Sequence, residues 1–516
     1  MPLKGDPSNL SQSYFHAKNR FLSLERRFRR DPIFKRHYIE FMREYENLGH
    51  MTLDSHSTSV PEISKLQYFI PHHGVVRDSS TTTKLRVVFD ASASTSSGVS
   101  LNDIQMVGPV VQDDLFSILT RFRQHRYVVS GDVEKMYRAI ELNPVQRPLQ
   151  KIIFRFNSSE PLKTYTLNTV TYGTASAPYL ATKCLTSLAD NLDDYRVQSA
   201  IRRDFYVDDY LSGGNTISET IEISKKVHSV LSSAKFNLRK WRSNNPEILR
   251  HVTNSKIESQ NTLHFFDQDP NSCQAKTLGL NWVCDSDSLT YTINITPNTK
   301  ITKRHVLSVI SKIFDPLGLV GPCVVQAKII MQRLWINKYD WDDEMSHELK
   351  NLWSTFENTL ISLNNLKIPR WVLCQDSIKH EIHVFTDASE KAYGACLYIR
   401  SSSDNGSTNV QLLVSRNRIA PVKPTTIPRL ELCGALLGAR LCTKAKSKWF
   451  SSRGEVKPGS LVLIKDKTTP PLLWSLGRVT QTFPGVDGVT RVAEIKTKRG
   501  TIRRAFNNIC PLPDQD

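Results

Sequence analysis

The chain has 516 residues with an apolar fraction of 39%, enough for two to four domains of about 100–200 residues each. Lysine and arginine total 68 against 50 acidic residues; the formal charge of +18 favours polyanionic partners, nucleic acid foremost. Nine cysteines, at positions 184, 273, 284, 323, 374, 396, 433, 442 and 510, form no Cys-x-x-Cys pair or Cys/His cluster, which excludes a zinc module and a disulfide framework. With its polar start and no long apolar run, the sequence predicts neither a secretory leader nor a membrane span, hence an intracellular product, cytoplasmic or nuclear.

Residues 10–50 carry Phe15, Phe21, Leu24, Phe28, Phe34, Tyr38, Phe41 and Met42 at helical spacing, decorated by Arg26, Arg27, Arg29 and Arg30. Residues 66–76 and 83–92 read as two strands of a β-ribbon joined by a Ser/Thr-rich turn. Lys84 and Arg86, two apart on a strand, share a face and suit a triphosphate. The adjacent His72 and His73 lack metal-ligand partners and read as structural. Leu115, Ile118, Leu119 and Phe122 form one helical stripe.

Tyr127-Val128-Val129 reads as a buried strand leading to Asp132, with Tyr137 placed where the chain turns out of it. Residues 150–155 and 165–167 predict another hairpin. Gly173, among small residues before a helix, lets a template strand or nucleotide approach the backbone. Phe205-Tyr206-Val207-Asp208-Asp209-Tyr210, backed by Ser212-Gly213-Gly214, predicts a tight hairpin with two carboxylates at its tip. Adjacent like charges call for a neutralising cation, and carboxylate oxygens are the hard ligands that Mg²⁺ takes together with phosphate oxygens. Asp132, 76 residues before Asp208, is the third acid of a site for two Mg²⁺ (or Mn²⁺) ions about 3.5–4 Å apart. Beyond the hairpin, a helix over 221–234 precedes Lys240, placed to reach phosphates, and Leu278-Gly279 sits at a tight turn resembling a primer grip.

These motifs resemble the palm of a reverse transcriptase. More narrowly, 84–92, Ser100-Leu101-Asn102-Asp103, 132–137, 172–178, Tyr206 to Asp209, 312–320 and Ile368-Pro369-Arg370 resemble the BEL/Pao branch of LTR-retrotransposon Pol polyproteins, over roughly 15–440. The resemblance implies an α+β multidomain chain: a right-hand fingers–palm–thumb polymerase, a truncated ribonuclease H-like α/β segment and a C-terminal SH3-like β-barrel. The expected divisions are a helical extension at 1–60, fingers and palm at 61–260, thumb and connection at 261–375, a partial ribonuclease H at 376–445 and an integrase C-terminal barrel at 451–516. It makes Asp132, Asp208 and Asp209 the catalytic metal ligands and Tyr137 the gate against a 2′-hydroxyl. Lys84, Arg86, Gly173 and Lys240 would serve the nucleotide. RNA template, DNA primer, dNTPs and duplex DNA would be the partners.

Residues 300–365 read helical, with Trp335, Trp341 and Trp353 expected in the core. Strand-Asp387 followed by helix-Glu431 is similar to the opening of a ribonuclease H domain, but the elements bringing the third and fourth acids are missing, so RNA-strand cleavage is not expected. From 454 on, short strands separated by Gly and Pro predict a small β-barrel, with Lys496, Lys498, Arg499, Arg503 and Arg504 bunched as a DNA-binding tail. No integrase core precedes it, which reads as an internal deletion or as a gene model that skips sequence. The leading expectation is an RNA-directed DNA polymerase. The alternatives are a decayed or domesticated product that only binds nucleic acid, and a DNA-binding adaptor built on the tail.

Overall fold

The computed structural model describes residues 1–54, 66–76, 85–253, 274–277, 280–293, 300–449, 458–464, 474–484, 490–498, 500–505 and 508–511. It divides into two compact units, Met1–Cys442 and Thr443–Asp516.

Helix α1 (Tyr14–Arg30) buries Ala17, Phe21, Leu24 and Phe28, spaced to form one stripe, and leaves Arg26, Arg27, Arg29 and Arg30 exposed. Helix α2 (Pro32–Asn47) starts where Asp31 accepts from the Phe34 N–H at 2.9 Å and Pro32 occupies the first turn. Strands β1 (Met51–Leu53), β2 (His72–Val76) and β3 (Leu85–Phe89) follow, β2 and β3 forming the expected antiparallel ribbon. The short helix α3 (Leu101–Ile104) carries a Ser100/Asp103 capping box, and α4 (Leu115–Phe122) buries its apolar stripe. Aromatic residues of α1 and α2 enter the same core as β2, β3, β5 (Lys151–Phe154) and β6 (Lys163–Leu167), reached after β4 (Tyr127–Val133). The two N-terminal helices are thus one wall of this layer. His72 is buried inside it, between the Tyr38 hydroxyl and the Ile153 carbonyl, and burial pushes its pKa down to about 4, the structural role expected.

The central sheet has the antiparallel order β7–β8–β4–β9, with β7 at Phe205–Tyr206, β8 at Asp209–Gly214 and β9 at Leu238–Ser243. Helices α5 (Ala177–Ser187), α6 (Tyr195–Arg203), α7 (Ile217–Ser233) and α8 (Pro246–Thr253) flank these strands, and a core of Val129, Ile201, Tyr210, Val227 and Trp241 lies beneath the sheet. Gly213 lies so close to β4 that a Cβ there would collide with the Tyr127 carbonyl, which is why glycine stands behind the hairpin.

Beyond it lie β10 (Gln274–Thr277), β11 (Leu280–Val283), β12 (Ser288–Thr290), and helices α9 (Lys303–Ser311), α10 (Gly321–Ile336) and α11 (His347–Leu360). Strand β13 (Lys367–Pro369) completes the sheet β10–β11–β12–β13. Next come β14 (Ser377–Ala388), β15 (Ala392–Ser403) and β16 (Thr408–Ile419), an antiparallel meander crossed by α12 (Ile427–Trp449). Gly434 and Gly438 set this crossing: a Cβ at Gly434 would lie 3.4 Å from the Asp387 carbonyl, and one at Gly438 would press on Thr386 and Val384.

One expectation for this region is corrected. Trp353 is fully buried, but Trp335 is 56% exposed and Trp341 41% exposed. The two meet edge to face at 5.8 Å, and the Lys303 ammonium sits 3.2 Å from the Trp335 ring centre. The rings cover a buried lysine instead of filling the core, a cation–π arrangement that leaves their outer faces in water.

The second unit contains β17 (Leu461–Ile464), β18 (Ser475–Pro484), β19 (Thr490–Thr497), β20 (Gly500–Ala505) and β21 (Ile509–Pro511). They form one antiparallel sheet in the order β20–β19–β18–β17–β21 around Val462, Val479, Ala493 and Ile495.

Candidate active site

The hairpin between β7 and β8 closes through Val207 and Asp208, because the last pair of its ladder is Tyr206 with Asp209. Strand β4 runs antiparallel beside β8, and its register sets Asp132 directly opposite Asp209. Asp132, distant in sequence, and the adjacent Asp208 and Asp209 therefore gather at one end of the sheet. Burial first, then Asp208 and Asp132, push Asp209 up to about 7, while Lys240 and Arg242 pull the other way. Asp208 is raised as well, by burial and then by Asp132.

Lys240 reaches the group through a bulge. Between Ser130↔Arg242 and Asp132↔Arg239 strand β9 holds one residue more than β4, and Lys240 adopts a positive φ of 54°. Its Nζ ends 3.3 Å from Asp132 Oδ2. Arg86 stands exposed on β3, and its charge opposes the rise at Asp208. Tyr137 lies half-buried in the 3-10 turn Met136–Ala139, and its hydroxyl pKa is raised by burial and by Asp208. Gly173 has φ +102°, and a Cβ there would strike the Phe89 carbonyl, so its crowded neighbour is strand β3 of the chain itself. Arg242, two residues past Lys240, was missed in the sequence, although the alternation of a strand offered it.

Among the described residues no group of three His, Cys, Asp or Glu side chains stands ready to hold a metal ion. Yet the charge of Asp132 helps to raise both Asp208 and Asp209, and Lys240 lies against Asp132. The donor set, hard carboxylate oxygens with excess negative charge, fits a divalent ion of the Mg²⁺ class.

Lys84, Leu278, Gly279 and Arg499 lie outside the described residues. Asp387, the penultimate residue of β14, pairs with Gly394, and Glu431 lies one turn before Gly434, which packs on the Asp387 carbonyl; both acids are exposed at the same corner of the meander. In the second unit Lys496, Lys498, Arg503 and Arg504 are all exposed. Arg503 is tied to Glu494 at 3.1 Å and lies over the Phe483 ring.

Residues 54–244 match the reverse transcriptase (RNA-dependent DNA polymerase) family, residues 302–457 the Pao retrotransposon-like RNaseH-like domain, and residues 441–512 a family of unknown function (DUF5641). Taken together, the three matches support a Pao-type Pol polyprotein. Its reverse transcriptase match spans all three aspartates, and the Pao-type match begins at α9, ahead of the meander. No curated protein matches the chain. Two solved foamy viral protease-reverse transcriptases are similar to it. One, in complex with double-stranded DNA, is 15% identical with TM-score 0.49 and covers 79% of this chain and 59% of its own. The other, with an RNA/DNA hybrid, is 12% identical with TM-score 0.49 and covers 92% and 62%. The chain thus spans about three-fifths of the length of either. No helix among its described residues is long and apolar enough to cross a membrane.

The raised acid of the palm has a consequence for stability. Folding holds a proton on Asp209 more tightly than the unfolded chain does, so the stability it lends is complete below the ordinary carboxylate range and lost as pH rises through about 7. In a chelator, the melting temperature is expected to fall between pH 5 and pH 8, and Asp209→Asn to flatten that fall. An equal slope in both proteins contradicts the assignment.

Proposed function

We propose that the chain is an RNA-directed DNA polymerase in which a primer 3′-hydroxyl attacks the α-phosphate of a dNTP, releasing pyrophosphate. The observation that carries this reading is Asp132 opposite Asp209, with Asp208 in the adjoining turn, inside the segment matching the reverse transcriptase family. Asp132, Asp208 and Asp209 would hold the divalent ions, which when bound neutralise the attacking and leaving oxygens. Arg86, and Lys84 beside it in sequence, would orient the triphosphate. Lys240, 3.3 Å from Asp132, would hold that carboxylate in place until the nucleotide arrives. The test is primer extension on an RNA template, with Asp208→Asn beside the wild type. Incorporation by the wild type alone is expected; equal incorporation by both overturns the reading.

Tyr137 is proposed as the sugar gate, since it follows Asp132 out of β4 and its hydroxyl feels the charge of Asp208. Tyr137→Val is expected to raise ribonucleotide incorporation about tenfold or more, the scale on which pockets discriminate small groups. Unchanged discrimination removes the gate. The second unit is proposed as an SH3-like integrase-type domain that binds duplex DNA through Lys496, Lys498, Arg499, Arg503 and Arg504. Deleting 451–516 should weaken duplex binding and reduce its salt dependence, and unaltered binding assigns the unit another role.

A further inference from the structure

We infer that Gln112 is a positioning residue for Asp208, acting through the backbone of Val207; the inference rests on the polymerase reading of that turn. Val207 has φ +57°, a conformation that a β-branched residue strongly avoids. Something outside the hairpin must hold it there. The ladder of β7 and β8 ends at Tyr206 and Asp209, so it serves neither polar group of Val207. Gln112 serves both: its Oε1 accepts from the Val207 N–H at 2.8 Å, and its Nε2 donates to the Val207 carbonyl at 3.3 Å. A primary amide offers a donor and an acceptor side by side, as a neighbouring strand's backbone would. Asp208 follows directly, its own carbonyl fixed by the Val133 N–H of β4 at 2.9 Å. The turn is thus gripped from two sides, with the carboxylate between.

Gln112 is itself anchored. The guanidinium of Arg121 donates to Asp113 at 2.9 Å and to Asp204, the residue before β7, at 3.2 Å. Asp204 also accepts from the Ser212 hydroxyl of β8 at 2.7 Å, and Asp114 caps α4 through the Ser117 N–H. The segment 112–114 is therefore locked to the base of the hairpin whose tip Gln112 holds.

The test uses the full chain and Gln112→Met, which keeps length and packing but makes neither bond. Hydrogen exchange at the Val207 amide should quicken about tenfold or more. In primer extension, kcat should fall about tenfold with KM for dNTP within about twofold, while the melting curve stays in place. Gln112→Glu, which keeps the acceptor and loses the donor, should fall between. In a Val207→Gly background the kcat loss should shrink to about twofold, since glycine holds a positive φ unaided. Unchanged exchange at Val207, or equal losses in both backgrounds, overturns the clamp. A wild-type chain that extends no primer overturns the polymerase reading, whereas the exchange result judges the clamp independently.

Discussion

Asp132→Asn is expected to lower primer extension by about 10³-fold while leaving the chain folded. The change is nearly isosteric, so the packing of β4 against β8 is retained. What is lost is a charge where a cation and a polyphosphate must meet, and removing one such preorganised group costs about 10²–10³ in rate. Stability should move little, because the partner removed is Lys240, half-exposed and screened, and such pairs are worth about 0–1 kcal/mol. Asp209 also loses a repelling neighbour and should ionise more easily. A folded variant with full activity would remove Asp132 from the chemistry; a variant that melts early would make its role structural.

Arg370→Met is expected to destabilise the chain by about 3–5 kcal/mol, read as a lower midpoint in denaturant. Arg370 is fully buried, and its guanidinium grips Asp287 at 2.6 and 2.7 Å. It also donates to the carbonyls of Phe122, His125 and Arg126 at 2.5, 2.7 and 3.1 Å. Methionine fills the space but takes the counter-charge from Asp287, leaving it only the Trp282 and Asn244 donors, and removes this donor from the Phe122 and His125 carbonyls; a buried acceptor left unpaired carries its full desolvation penalty. Beside it, buried Arg123 donates to the carbonyls of Pro369, Arg370 and Leu413, its own pKa pushed down to about 9 by burial and by Arg370. The pair joins α4, β13 and β16, so its loss should also loosen the meander from the palm. A midpoint within error of wild type would show that water replaces these bonds.

The acids were legible in the sequence because two adjacent aspartates between β-formers, and a third at the end of an apolar run, have few stable arrangements without a shared cation. The ribbon and the palm hairpin were legible for a similar local reason, alternation broken by turn residues. Other features depended on neighbours that no local pattern names. The bulge that swings Lys240 toward Asp132 exists only in the pairing of β9 with β4. Gly173 signalled a close approach, but that the visitor is the Phe89 carbonyl needed the fold. Trp335 and Trp341 promised core by size, whereas a buried lysine beneath them holds the rings outward. Arg123 reads as an ordinary helix-end arginine until carbonyl oxygens from β13 and β16 converge on it.

Convergence of the three aspartates on one ion is tested most directly by loading the full chain with Fe²⁺ in place of Mg²⁺ and generating hydroxyl radicals with ascorbate. Backbone cleavage is expected within a few residues of both Asp132 and the Asp208–Asp209 turn, suppressed by excess Mg²⁺ and abolished by Asp132→Asn. Cleavage at one of these segments without the other, or at neither, would contradict a shared metal site.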